Sequence, residues 1–163
     1  MAVEIERKFL VRDDGWQKLV AERAHIRQAY LALGGKATIR VRVKDDRAAR
    51  LTIKSRGAKL RRLELEYPIP VADAEALIAL RRGAVIEKVR HIVPYGGATW
   101  EIDVFAGENA GLIIAEVELP HEDYRLELPP WIGREVTGRA EYYNSSLVAR
   151  PYANWAEQAA AAT

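Results

Sequence analysis

Residues 3–11 read Val-Glu-Ile-Glu-Arg-Lys-Phe-Leu-Val, and this stretch decides the fold. Successive side chains of an extended strand point to opposite faces. Glu4, Glu6 and Lys8 therefore share one face, and the apolar side chains between them share the other. A strand with acids and a base in line predicts either a solvent-exposed face or the wall of a polar cavity. The remaining strands decide between these two interpretations.

The composition predicts a soluble globular protein. The chain has 163 residues, of which 49% are hydrophobic, enough for a substantial core. Its 25 basic and 23 acidic side chains nearly balance, so the net charge gives no general attraction to nucleic acid or membranes. The absence of cysteine excludes disulfides and thiolate chemistry. Without a signal-like N-terminus or an apolar run near the roughly 20 residues of a membrane span, we expect one cytoplasmic domain over residues 1–163.

Alternating apolar and polar residues predict eight strands separated by turn signals. Glycine pairs mark short connections, which favour antiparallel neighbours. Helices are expected from Asp13, from Asp73 and over residues 138–149, whereas residues 121–137 are expected to be irregular or made of short helical pieces. The fold class is therefore α+β. The strands are predicted at 3–11, 25–33, 37–45, 49–57, 61–69, 85–95, 98–106 and 112–119.

Charged residues occupy one face of nearly every predicted strand, and they are sorted by sign. The first and eighth strands bring acids, whereas the third, fourth and sixth bring bases. A solvated sheet face is the simpler interpretation, but it requires neither this sorting nor so many arginines, which favour bidentate contact with phosphate or carboxylate. The polar positions are Glu4, Glu6, Lys8, Gln28, Tyr30, Arg40, Arg42, Lys44, Thr52, Lys54, Arg56, Arg62, Glu64, Glu66, Lys88, Arg90, Glu101, Asp103, Glu116 and Glu118.

An eight-stranded antiparallel barrel with this face inward explains the sorting. Closure removes exposed sheet edges and lets helices cover the outer face, and eight strands can enclose one small ligand. Like charges about 4 Å apart repel by roughly 4 kcal/mol at an effective dielectric near 20, so the interior needs counter-ions. A polyanion relieves the basic strands, and Mg²⁺ or Mn²⁺ relieves the acidic ones. The predicted ligand is therefore a metal–polyphosphate complex.

A series of motifs occurs in order along the chain. The first is Glu4-Ile5-Glu6-Arg7-Lys8, and the others lie at 25–31, 39–42, 52–55, 64–66, 88–90, 101–105, 115–119 and 142–147. The first motif matches the Glu-x-Glu-x-Lys signature of the CYTH domain, the triphosphate tunnel metalloenzyme superfamily. With the later motifs, the resemblance covers essentially the whole chain. Among the members of this superfamily, the chain most resembles the small bacterial tripolyphosphatases.

The resemblance implies a tunnel of eight strands that holds a triphosphate, with helices outside and a C-terminal helix plugging one mouth. The implied metal ligands are Glu4, Glu6 and Glu118, with Asp103 and Glu116 near or in a second site. The implied phosphate-binding residues are Lys8, Arg40, Arg42, Lys54, Arg56, Arg62, Lys88 and Arg90. Glu64 and Glu66 are implied to orient the bases, and residues 142–147 to form the plug.

The implied activity is hydrolysis of inorganic triphosphate to diphosphate and phosphate with Mg²⁺ or Mn²⁺. A lysine–tyrosine pair that handles water in some relatives corresponds to Lys8 and Tyr30; the alternative role of Lys8 is a phosphate clamp. Alternative functions are a class IV adenylate cyclase, a thiamine or nucleoside triphosphatase, and a polyphosphate-binding module without turnover. The expected partner is a small-molecule triphosphate, with no nucleic acid or membrane, and the protein is expected to be a monomer or homodimer. Tyr143 is interpreted as buried packing.

Overall fold

The computed structural model describes residues 5–55 and 63–156, which contain nine strands, two short α-helices and four 3-10 turns. The strands are β1 (Ile5–Val11), β2 (Glu22–Ala32), β3 (Ala37–Lys44), β4 (Ala48–Ser55), β5 (Glu64–Ile69), β6 (Arg82–Tyr95), β7 (Ala98–Phe105), β8 (Ile113–Leu119) and β9 (Ile132–Glu135). The helices are α1 (Val71–Ile78) and α2 (Asn144–Leu147). The 3-10 turns are Gln17–Leu19, Gly107–Asn109, Ala140–Tyr142 and Tyr152–Asn154.

All nine strands join one antiparallel sheet in the order β5-β4-β3-β2-β6-β7-β8-β1-β9. The predicted antiparallel α+β architecture is therefore confirmed. Among the described strands, β5 and β9 are the two ends of the sheet, and no hydrogen-bonded ladder joins them. The sheet encloses space by curling, without a closed ladder.

The curling is visible in the buried cluster on the concave face. Tyr30 of β2, Phe105 of β7 and Ile114 of β8 belong to one cluster with Leu147 of α2, and Leu10 of β1 packs against it. Three strands separate β2 from β1 in the sheet order. Side chains from strands so far apart share a cluster only if the sheet bends around them. The plug segment, residues 142–147, closes the concave face where this cluster lies, as predicted, and it does so with apolar side chains.

The convex face is covered by two other apolar clusters. One contains Trp16, Trp100 and Trp131 against the outer side of β1, β7 and β8. In the other, Ala74 and Ile78 of α1 pack against β2, β3 and β4. Because apolar residues at alternate positions pack outward against these covers, the intervening charged residues are directed to the concave side. No helix in the described part of the chain is long and apolar enough to cross a bilayer.

A ninth strand was not expected from the sequence. β9 lies within 121–137 and adds to the free side of β1, where Arg12 N donates to Trp131 O (3.0 Å) and Val136 N donates to Lys8 O (2.8 Å). Pairing of the exposed β1 edge stabilises a strand of only four residues.

Two of the expected helices are shorter than predicted. The helix expected from Asp13 is a single 3-10 turn, because Asp13 Oδ1 accepts a hydrogen bond from Gly15 N (2.9 Å) and so forms a turn in place of a helix cap. The helix expected over 138–149 is divided at Tyr143, whose backbone is extended (φ −74°, ψ 138°).

Candidate active site

Three cross-strand pairs on the concave face bring like charges directly opposite one another. Glu6 on β1 lies opposite Glu118 on β8, and Glu101 on β7 lies opposite Glu116 on β8. Arg42 on β3 has the same relation to Arg50 on β4. Such pairs destabilise an antiparallel sheet unless a counter-charge separates them. Two of these residues have counter-charges within the protein, since Arg50 lies 3.8 Å from Glu66 and Glu101 lies 3.1 Å from Arg90. The register gathers acids in one region, which a cation would stabilise, and bases in another, which an anion would stabilise.

We call the region suited to an anion the basic centre. It comprises Arg40, Arg42, Lys88 and Arg90. Lys88 Nζ lies 2.8 Å from Asp103 Oδ2, and the Arg90 guanidinium makes two hydrogen bonds to the same carboxylate, at 2.8 and 2.9 Å. The side chains of Lys88 and Asp103 are only 1% and 6% exposed. One buried carboxylate thus serves two cations, which leaves an excess of positive charge.

The pKa values of this cluster reflect burial and crowding of charge. Burial lowers the pKa of Lys88 to about 8, although Asp103 partly opposes the shift. Burial also opposes ionisation of Asp103, but Lys88 and Arg90 outweigh it and hold the pKa of that carboxyl well below its usual range. Burial, together with repulsion from Arg40 and Arg90, lowers the pKa of Arg42 to about 10. A bound anion would relieve these costs.

Arg40 and Arg42 reach the basic centre from β3. Arg42 Nε donates to Gln28 Oε1 at 2.8 Å, and Arg40 Nη2 lies 3.5 Å from Thr52 Oγ1. Arg40 Nε is buried and finds no acceptor among the described residues. A buried donor without a partner is costly, so this atom is suited to a ligand oxygen. Burial raises the pKa of Tyr30, against the opposing effect of Arg40 and Arg42.

The plug segment contributes two side chains to the same face. Asn144 Oδ1 accepts hydrogen bonds from Lys88 Nζ (3.1 Å) and Gln28 Nε2 (3.3 Å). Lys8 Nζ lies 4.9 Å from the centre of the Tyr143 ring. The interpretation of Tyr143 as buried packing is wrong, since it is 37% exposed. Asn144 was missed as a site residue; the only sequence signal is its place in the motif at 142–147.

The region that needs a cation is named here the acidic cleft. It is a concavity of about 560 Å³ lined by Glu6, Glu101, Glu116 and Glu118, together with Thr99 and Tyr124. Its carboxylate oxygens are the ligand type that hard divalent cations prefer. Within residues 5–55 and 63–156, no three acidic or histidine side chains converge closely enough to hold a metal ion as they stand. The donor chemistry of the cleft thus fits a cation, although these side chains do not form a preassembled cage.

The two regions adjoin one another through Arg90. Its Nη1 lies 3.1 Å from Glu101 Oε2, while its other nitrogens bind Asp103. Burial alone would lower the pKa of Arg90, but the hydrogen bonds that it donates to Asp103 hold that pKa above its usual range. Arg90 therefore remains charged at the boundary between acids and bases.

Of the remaining predicted site residues, Glu66 makes an ion pair with Arg50, whose Nη1 lies 3.8 Å from Glu66 Oε1. Lys54 is opposite Glu64, and Glu66 is opposite Thr52, on the outer strands β4 and β5. Lys8 contacts Tyr143, whereas Tyr30 lies beside Arg40, so the proposed Lys8–Tyr30 pair stays a prediction. Glu4, Arg56 and Arg62 lie outside the described residues.

The curled antiparallel sheet, its charged concave face and the C-terminal plug are the features expected of the triphosphate tunnel fold. The chain belongs to the CYTH domain family, whose model matches residues 2–152. It is 47% identical over 158 residues to an inorganic triphosphatase of Acetivibrio thermocellus, covering 96% of this chain and all of that protein. It is also 38% identical over 151 residues to an inorganic triphosphatase of Nitrosomonas europaea, covering 88% of this chain and 95% of the relative.

Solved structures have the same fold. The crystal structure of an inorganic triphosphatase matches with a TM-score of 0.71 at 34% identity, covering 91% of this chain and 95% of that one. A putative adenylyl cyclase from Hippeastrum, described as having a dominant triphosphatase activity, matches with a TM-score of 0.54 at 14% identity. That match covers 72% of this chain and 80% of the other. At this identity the likeness concerns the fold alone.

Proposed function

We propose that this protein hydrolyses inorganic triphosphate to diphosphate and phosphate on the concave face of its sheet. The observation that carries the proposal is that Glu6 lies opposite Glu118 on the same face as the basic centre, where Lys88 and Arg90 share the buried carboxylate of Asp103. An acidic cleft beside a basic centre matches a phosphate chain bound together with a cation. The two relatives that are named inorganic triphosphatases support the same substrate.

The basic centre binds phosphate oxygens in this proposal. Phosphoryl transfer depends mainly on positioning and electrostatic stabilisation of charge on the transferred group. Arg40 Nε is a buried donor ready for such an oxygen, and Asp103 holds the charges of Lys88 and Arg90 in the same basic centre. Asp103 then acts as a positioning residue because both of its oxygens are engaged by these cations.

The acidic cleft is proposed to hold Mg²⁺ or Mn²⁺. Glu6, Glu116 and Glu118, which line the cleft, are the proposed ligands, together with Glu4, two residues before Glu6 in the sequence. When bound, a divalent cation neutralises phosphate oxygens and helps to position or activate water. Glu101 lines the same cleft and also contacts Arg90, so it can hold the acidic cleft and the basic centre in a fixed relative position.

Proton handling is proposed to differ between the two candidate residues. The raised pKa of Tyr30 keeps its phenol protonated at neutral pH, so it can donate a hydrogen bond but is poorly suited to remove a proton as phenolate. Lys8 is proposed to clamp phosphate, because its ammonium is held over the Tyr143 ring. The proposed substrate is thus a small molecule, and the proposed location of the protein is the cytoplasm.

A substrate panel tests the proposed function. Purified protein is incubated with Mg²⁺ or Mn²⁺ and with inorganic triphosphate, longer polyphosphate, ATP, GTP or thiamine triphosphate. We expect at least a hundredfold preference in kcat/KM for inorganic triphosphate, which equals about 2.7 kcal/mol of transition-state stabilisation. Cyclic AMP formed from ATP would establish the cyclase alternative, and tight triphosphate binding without phosphate release would establish a binding module.

A further inference from the structure

We propose that the dipeptide Tyr143-Asn144 positions the two lysines of the phosphate site, Lys8 and Lys88. This inference rests on the proposed function and adds to it the residues that aim its cations. The dipeptide lies where the C-terminal segment changes from a 3-10 turn to α2. Its side chains contact β2 and β6, which are neighbours in the sheet, and β1, which is separated from β6 by β7 and β8.

Asn144 fixes the direction of the Lys88 ammonium. A lysine ammonium has three N–H donors. Asp103 Oδ2 lies 2.8 Å from Nζ and Asn144 Oδ1 lies 3.1 Å from it, so these two acceptors can engage two donors. The third donor then has a fixed direction and is available to a phosphate oxygen. Without Asn144, the buried ammonium would retain Asp103 as its only acceptor among the described residues, with the centre of the Phe105 ring 5.5 Å away.

Asn144 also orients Arg42 through Gln28. The amide nitrogen of Gln28 donates to Asn144 Oδ1 at 3.3 Å, while its amide oxygen accepts from Arg42 Nε at 2.8 Å. A reversed amide would place its oxygen against Asn144 Oδ1 and its N–H groups against the Arg42 guanidinium, and both contacts would be repulsive. By accepting from Gln28, Asn144 thus keeps an acceptor turned toward a second cation of the basic centre.

Tyr143 supports Lys8 from the same short segment. The Lys8 ammonium lies 4.9 Å from the ring centre, within the roughly 6 Å range of a cation–π interaction. On β1, Lys8 is opposite Glu116 of the acidic cleft. The aromatic ring gives the ammonium a contact on the side of the plug.

The dipeptide is held by its neighbours, so its side chains can be changed without dismantling the plug. Ala84 N donates to Val148 O at 2.9 Å, and Leu147 and Val148 are buried. The rings of Tyr142 and Trp155 pack edge to face with centres 5.2 Å apart. These contacts fix the backbone on both sides of Tyr143 and Asn144.

The test combines binding of inorganic triphosphate without metal, measured by calorimetry, with steady-state kinetics in Mg²⁺ or Mn²⁺. Asn144→Leu removes the acceptor at similar volume, and Tyr143→Leu removes the ring. We expect each to weaken metal-free binding and to raise KM at least tenfold, with a smaller change in kcat.

Tyr143→Phe keeps the ring and should retain most of the affinity that Tyr143→Leu loses. Ser145→Ala is the matched control, since Ser145 follows Asn144 on α2 and takes no part in the contacts proposed for the dipeptide.

A double-mutant cycle separates positioning from a general structural effect. If Asn144 acts through Lys88, Asn144→Leu should weaken binding much less in a Lys88→Met background than in the wild type. Wild-type affinity in both leucine variants, an equal loss in Tyr143→Phe, or full additivity with Lys88→Met would overturn the inference. A wild-type protein that binds triphosphate without hydrolysing it would refute the proposed function alone, because the binding measurements still test the positioning. A wild-type protein that does not bind triphosphate would refute both.

Discussion

Asp103 is the single carboxylate on which the charge balance of the basic centre depends. Asp103→Asn would leave Lys88 and Arg90 facing a neutral amide in a nearly closed environment. Removing one partner of a buried ion pair typically costs about 3–5 kcal/mol. We expect a loss of that size in the free energy of unfolding measured with urea at pH 7. Glu101→Gln is the control and should cost less than about 1 kcal/mol, because that side chain is 42% exposed.

The same residue should make stability depend on acid pH. The pKa of Asp103 is depressed in the folded protein, so its contribution is present above the unfolded-state pKa of about 4 and is lost as the pH falls toward the folded value. The difference between wild type and Asp103→Asn should therefore shrink below pH 4. A difference that stays constant down to pH 2 would contradict this assignment.

Lys88 should cost stability in the absence of substrate. Its folded pKa of about 8 is below the ordinary 10.5, which means that the folded protein disfavours the charged form. The penalty is fully present below pH 8 and fades as the pH rises toward 10.5; the shift corresponds to about 3 kcal/mol. Because Arg90 still pairs with Asp103, we expect Lys88→Met to raise the melting temperature at pH 7 and to lose this advantage by pH 10. The same variant should weaken triphosphate binding without abolishing it, and a lower melting temperature at pH 7 would refute the argument.

At the scale of elements, the sequence was most informative where burial imposes a strict period. Most of the expected strands appear because one of their faces is buried, so a two-residue alternation is obligatory. β5 is the exception, because only Ile69 is even partly buried in it. β9 has no such pattern in its four residues, and its pairing depends on the free edge of β1. The helix expected from Asp13 is shortened by a local turn, which helical periodicity does not report.

The same limit applies to the site. The sorting of acids and bases by strand was visible in the sequence, because face and sign follow from position alone. The choice of Asp103 as the partner of Arg90 depends on the β6–β7 register, in which the two residues are directly opposite. The role of Asn144 depends on the break at Tyr143, which turns an apparently continuous helix into two short pieces.

Gly83 allows the plug segment to approach β6. Its φ is +72°, and a Cβ there would lie only 2.4 Å from Val148 O. Gly83→Ala should displace α2 as well as strain the backbone, and we expect a stability loss of at least about 2 kcal/mol with weaker triphosphate binding. Gly107→Ala is the matched control, because Gly107 also has positive φ (+63°) but a Cβ there would meet no described atom within 4 Å. Equal effects of the two variants on binding would show that the clash at Gly83 is unimportant.

Across the whole molecule, the acidic cleft and the basic centre are two strained charge distributions on one face. A cation alone relieves the repulsion in the acidic cleft, and an anion alone relieves the repulsion in the basic centre. A cation bound to a phosphate chain relieves both, and the two ligands also attract each other. We therefore expect inorganic triphosphate and Mg²⁺ together to raise the melting temperature by more than the sum of their separate effects. A ligand at about 100 times its Kd adds about 2.7 kcal/mol, or about 5–10 °C for a chain of this size.

The controls for this last prediction separate binding from screening. Sodium chloride at matched ionic strength reduces repulsion between exposed charges without occupying a site, so it should give only a small shift. Glu118→Gln should raise the melting temperature of the metal-free protein slightly, since it removes the repulsion with Glu6. The same variant should keep the shift caused by triphosphate alone and lose the extra shift caused by adding Mg²⁺. If Glu118→Gln kept the full synergy, the cation would have to bind elsewhere, and the division of the concave face into two regions would no longer account for the chemistry.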